Sequence, residues 1–104
     1  MDGNGVWAMG LQHPEYFAAL APLGGYIYSF EVPENICDLK DIPIRAFHGG
    51  KDFKVPPQVE QDLVDAVNAC GGAAQFTVKP DAVIPLEEYA NPELYEWLLS
   101  QSKK

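Results

Sequence analysis

Basic side chains are scarce in this chain: seven Lys and Arg stand against fifteen Asp and Glu, a formal charge of −8. A surface of that sign repels phosphate backbones and anionic lipid headgroups, which argues against nucleic-acid and membrane-surface partners. Long apolar runs are absent as well. No stretch approaches the roughly 20 residues of a spanning helix, and the first residues lack the basic and apolar blocks of a signal peptide, so a cytoplasmic protein is expected. Cysteine is limited to Cys37 and Cys70. They lie far apart without the C-x-x-C spacing of redox and zinc centres, so no metal, cofactor or thiol-exchange role is expected. Cys70, on the apolar face of an expected helix, reads as a small buried thiol. Internal repeats, charge runs and linker-like segments are also missing, so residues 1–104 read as one domain with a loose tail at 101–104.

What is present is enough apolar material for a core: 47% of residues are hydrophobic and 12% aromatic. A chain of 104 residues nevertheless buries a smaller share of its surface than a full-sized domain, so further support is expected from assembly. Gly5 to His13 carries Val6, Trp7, Met9 and Leu11 and stops before Pro14, as a buried helix would. Phe17 to Leu23 is a short apolar run closed by Gly24-Gly25, the pattern of a buried strand. Tyr26 to Asp41 has no period and reads as a loop. Ile42 to Phe47 has strand character and breaks at His48-Gly49-Gly50. Pro56-Pro57 opens a helix in which Val59, Leu63, Ala66, Val67 and Cys70 recur at helical spacing until Gly71-Gly72. Gln75 to Val78 is a further strand, and Pro92 to Ser100 a closing helix with Leu94, Tyr95, Trp97, Leu98 and Leu99. This alternation predicts a three-layer α/β architecture, with about three parallel strands between flanking helices.

In open α/β sheets the reactive groups gather on loops leaving the C-terminal ends of strands. His48 to Pro57 is such a loop, and it presents Asp52 where a carboxylate could orient a histidine. A loop or cap role is the structural alternative for Asp52. His48, at the strand exit, reads as a structural histidine with satisfied nitrogens. His13 reads as a surface residue at a helix end. Trp7, Tyr95 and Trp97 read as packing residues, and Asp81, Glu87 and Glu88 as a solvated acidic face without the ordered spacing of a calcium loop.

Phe47-His48-Gly49, Lys51-Asp52 and Val55-Pro56-Pro57 together resemble the segment that carries the acid of the catalytic triad in dienelactone-hydrolase-like and phospholipase/carboxylesterase-like α/β-hydrolases. The resemblance extends back through Asn4 to Ala8 and His13 to Pro22, similar to the helix after the nucleophile and the strand that follows it. It runs forward to Tyr89 to Leu99, similar to the closing helix of the esterase and peptidase-like branch. It implies a partial α/β-hydrolase fold, its C-terminal half, with Asp52 as a vestigial triad acid. In such enzymes a strained serine in G-x-S-x-G precedes a residue whose N–H helps form the oxyanion hole. By the match at Gly3 to Trp7, Met1 occupies that oxyanion position, and the serine would precede the chain. Asp2 stands where the family has glycine. The histidine should follow Pro80-Asp81-Ala82, and Ile84 takes its place, which removes the general base.

The resemblance implies a truncated carboxylesterase-type serine hydrolase whose parent acts on a small-molecule ester, with these residues inactive alone. The alternative is a catalytically dead α/β module that works by binding or assembly. Either way, loss of the strand that should flank Phe17–Leu23 leaves an apolar edge, and a homo-oligomer is expected.

Overall fold

The computed structural model describes residues 3–22, 24, 31–52, 54–82 and 92–101. The first helix, α1, spans Gly3–Gln12. It packs by way of Gly10, where an added Cβ would lie 2.6 Å from the Leu20 side chain; no other residue allows that approach. The His13 N–H closes the helix on the Met9 carbonyl at 3.0 Å, and Pro14 then diverts the chain into a single 3-10 turn, Pro14–Tyr16. The loop expected over Tyr26 to Asp41 contains another such turn, Ile36–Leu39, which buries Ile36 and Leu39.

Two strands are regular: β1, Arg45–Gly49, and β2, Gln75–Lys79. They pair in parallel with Arg45 opposite Gln75 and Gly49 opposite Lys79. Parallel neighbours need a long crossover, here supplied by α2, Pro57–Ala69. Pro57 suits the first turn because its missing N–H would have no helical partner there. At the other end Gly71 adopts φ 96°, and the N–H groups of Gly71 and Gly72 bond the carbonyls of Asn68 and Val67. That is the glycine-terminated helix stop in which two orphan carbonyls are satisfied at once. Asn68 then clamps the entry to β2, bonding both the N–H and the carbonyl of Ala74.

The third strand expected at Phe17–Leu23 is present as a ladder that lacks one bond. Leu20 bridges Ile44 in parallel. Leu20 N–H bonds Pro43 O, Arg45 N–H bonds Leu20 O, Phe47 N–H bonds Pro22 O, and Gly24 N–H bonds Phe47 O. The remaining rung would need an N–H on Pro22, which proline does not have. The sheet thus runs from the Leu20–Gly24 segment through β1 to β2, and Leu23 itself lies outside the described residues.

Side chains alternate across this sheet. Ile44, Ala46 and His48 face α1 and α2, where the core gathers Trp7, Leu11, Leu20, Leu39, Leu63 and Val67. Arg45 faces the other way and lies 4.6 Å from the centre of the Trp97 ring on α3, Pro92–Ser100. Helices therefore lie on both sides of the sheet, α1 and α2 against one face and α3 beside Arg45 on the other, the order of the expected three layers. The buried stripe of α2 is Glu60, Leu63, Val64 and Val67, turned by one position from the stripe read in the sequence. On α3, Leu94 is buried whereas Leu99 is 86% exposed. The reading of Cys70 as a lone buried thiol is corrected: it forms a disulfide with Cys37, across 33 residues of sequence and a Cα–Cα distance of 5.6 Å. The bond ties the Ile36–Leu39 turn to the end of α2. Spacing alone could not show it, because the fold brings the two residues together. Among the described residues no helix is long and apolar enough to cross a membrane.

Candidate active site

The loop that leaves β1 turns at once, with Asp52 N–H bonding Gly49 O at 3.2 Å and Gly50 N–H bonding Lys79 O at 2.8 Å. Asp52 then folds the loop around its own carboxylate. Its Oδ1 accepts the N–H groups of Lys54 at 3.0 Å and Val55 at 2.9 Å, the local capture by which a short acidic side chain builds a turn. Oδ2 is directed elsewhere. It lies 3.4 Å from His48 Nε2, and the Asp52 side chain keeps 12% exposure. A Cβ built on Gly24 would lie 3.9 Å from the same oxygen, so the exit of the Leu20–Gly24 segment meets the exit of β1 at this carboxylate. Asp52 therefore stands at the C-terminal rim of the sheet.

Behind it is a polar chain through the interior. Trp7 on α1 donates from Nε1 to Glu60 Oε2 at 2.8 Å. Glu60 Oε1, on α2, faces His48 Nδ1 at 2.9 Å. His48 Nε2, on β1, faces the Val55 carbonyl at 2.6 Å. Trp7, Glu60 and His48 are each 0% exposed. Burial alone would lower the His48 pKa, but the hydrogen bond to Glu60, the Val55 carbonyl and the charges of Glu60 and Asp52 outweigh it and hold the pKa above the ordinary 6.5. The structural reading of His48 agrees with this enclosure: both nitrogens are occupied and neither reaches solvent. Asp52 thus has a histidine beside it, His48, at 3.4 Å. The geometry is nevertheless not that of a proton shuttle, because the imidazole is sealed from any substrate.

Glu60 was not anticipated. Its signal lies in the sequence all the same, three, four and seven residues before Leu63, Val64 and Val67, the spacing of one helix face. A charged residue on that face calls for buried donors. His13 is at the surface, 3.9 Å from Glu15 and beside the Tyr16 ring. Met1, read as the oxyanion position, and Ile84, read in the place of the histidine, lie outside the described residues, as do Glu87 and Glu88. Among the described residues no cluster of His, Cys, Asp or Glu could hold a metal ion.

No protein-family model and no curated protein matches the sequence. Solved structures do. A thermostable esterase superposes with a TM-score of 0.81 and 30% identity, over 96% of this chain and 28% of its own. The chain carries part of the α/β-hydrolase fold. A protein assigned as a dienelactone hydrolase, from Klebsiella pneumoniae subsp. pneumoniae MGH 78578, agrees in fold at a TM-score of 0.69 and 18% identity, over 94% of this chain and 48% of its own. The chain thus spans less than half the length of either α/β-hydrolase. Within the matched part β1 runs between β2 and the Leu20–Gly24 segment, with Asp52 on the loop after it.

Proposed function

We propose that these residues are the acid-bearing portion of a serine carboxylic-ester hydrolase, with Asp52 in the role of the carboxylate that orients a catalytic histidine. The observation that carries this reading is Asp52 itself, anchored through Oδ1 by two backbone N–H groups while Oδ2 stays at the sheet rim. Such an acid fixes the tautomer and direction of a histidine and stabilises the imidazolium that forms. Among the described residues no histidine is placed for that work: His13 lies at the surface beside Glu15. His48 is committed to Glu60, and by resemblance Ile84 takes the place of the base. Asp52 is then vestigial, and hydrolysis of a small-molecule ester belongs to a parent enzyme.

A second reading, an inactive module that works by assembly, is favoured by the sheet edge. The Leu20–Gly24 segment uses residues 20, 22 and 24 to bond β1, and among the described residues no backbone group bonds Ala19 or Ala21. A homo-oligomer paired along that edge would satisfy them. For location, the Cys37–Cys70 bond weighs against the cytoplasmic expectation. Cytosolic pools keep thiols reduced, so a cytoplasmic copy would hold the two residues as a dithiol.

Two assays test the catalytic reading. The chain alone should turn over short p-nitrophenyl esters no faster than its Asp52→Asn variant. Grafting Phe47 to Pro57 into the corresponding place of the thermostable esterase should preserve turnover, and Asp52→Asn in the graft should then lower kcat by about 10⁴, as for loss of a triad acid. Asp52-dependent turnover by the chain alone, or an indifferent Asp52 in an active graft, would reject the assignment.

A further inference from the structure

Each ring nitrogen of His48 points at an acceptor: Nδ1 at Glu60 Oε1 2.9 Å away, and Nε2 at the Val55 carbonyl 2.6 Å away, with Asp52 Oδ2 at 3.4 Å. A neutral imidazole has one N–H and one lone pair, so it can satisfy only one side and turns its lone pair against an oxygen on the other. An imidazolium donates to both. We propose that His48 is a positioning residue, kept as a buried imidazolium whose two N–H groups fasten the Asp52 loop to α2, so that the placement of Asp52 depends on the protonation of His48. The proposal rests on the reading of Asp52 as a triad acid for its functional meaning, but not for its geometry.

The groups around His48 support a single positive charge. Among the described residues, the charged side chains that face it are Glu60 from α2 and Asp52 from the loop. From α1 comes Trp7, which donates to the second oxygen of Glu60, and from β2 comes Phe76, its ring centre 6.3 Å away; neither titrates in this range. The chain of contacts runs from α1 through Glu60 and His48 to Val55, whose own N–H bonds Asp52 Oδ1 at 2.9 Å. Losing the His48 proton breaks that chain at one of its two ends. The Val55 end is the weaker, because Glu60 is a charged acceptor and retains the remaining N–H. Since the folded pKa of His48 lies above its ordinary value, the fastening is complete below about pH 6.5 and is lost as pH rises through the folded value.

The test needs no substrate. Nitrogen-15 shifts of the histidine rings, with His13→Gln to assign them, report whether both His48 nitrogens carry protons. Amide exchange at Lys54 and Val55 is followed across the same pH range, relative to amides in the middle of α2. The expected result is an imidazolium that persists above pH 6.5, with Lys54 and Val55 exchanging about tenfold faster relative to α2 once it titrates, the size of one hydrogen bond to a charged group. Glu60→Gln should move both events to lower pH. A ring with a proton on Nε2 alone at neutral pH would put the proton on Glu60 and overturn the proposal. So would exchange at Lys54 and Val55 that keeps pace with α2 through the titration. Neither readout involves ester turnover, so rejection of the hydrolase reading would leave this result standing, and the reverse.

Discussion

Burying a carboxylate costs several kcal/mol unless its oxygens find donors, and Glu60 finds them in two separate elements. Trp7 Nε1 serves Oε2, and His48 Nδ1 faces Oε1. Trp7 is therefore more than an apolar filler. Its indole N–H is the only hydrogen-bonding group of that side chain, and it is aimed at a charge. Trp7→Phe keeps an aromatic ring in the core but withdraws the donor, so the variant should lose roughly 2–3 kcal/mol, the range for a bond to a charged group plus a small volume term. Urea denaturation would measure it as a lower midpoint with an unchanged slope. A loss below about 0.5 kcal/mol, the size of an ordinary surface change, would mean that the interior solvates Glu60 by another route.

At the scale of elements, the sequence was most readable where a backbone rule left a visible mark. Pro57 and Gly71 bound α2, and the break at His48-Gly49-Gly50 marks the end of β1 and the start of the loop with Asp52. The Leu20–Gly24 strand could be expected from its apolar run, but its irregularity comes from Pro22, which bonds only through its carbonyl. Two features were hidden for a different reason. The burial of Glu60 is hidden because the stripe read from the apolar residues starts one position away, at Val59, and the Cys37–Cys70 pairing depends on tertiary approach alone. That disulfide is the link between the Ile36–Leu39 turn and α2, which are otherwise held by Leu39 and Gly72 packing near Val67 and Lys40. Closing a loop of 33 residues' separation restricts the unfolded chain by roughly 3–4 kcal/mol in the loop-entropy treatment. Reduction, or the Cys37→Ser/Cys70→Ser double variant, should lower stability by up to that amount. Matched denaturation curves with and without reductant would show it, and identical curves would mean that the turn is fastened without the bond.

At the scale of the molecule, the described residues form three parallel segments with helices on both sides, and no described backbone group bonds Ala19 or Ala21 along the Leu20–Gly24 edge. In the α/β-hydrolases it matches, the chain accounts for 28% of one and 48% of the other. The outward ladder positions on the Leu20–Gly24 side are Ala19 and Ala21, partly exposed and small. Among the described residues nothing there blunts pairing: no charge points outward from these two residues, and the proline of the segment, Pro22, sits in the inward register bonded to β1. A second copy laid against this edge would gain backbone hydrogen bonds and cover the flank of α1, where Met9 is 38% exposed. At about 25 cal/mol per Å², covering a few hundred Å² of apolar surface supplies several kcal/mol, comparable to the whole margin of a small domain. A homodimer at micromolar concentration is the expected state. Ala21→Pro removes the outward N–H and should shift the assembly to monomer without touching the bonds to β1, whereas Ala21→Ser should leave it intact. Light scattering over a dilution series reads both. A wild-type chain that stays monomeric and unfolds cooperatively throughout would show that three segments and a disulfide close the fold without a partner.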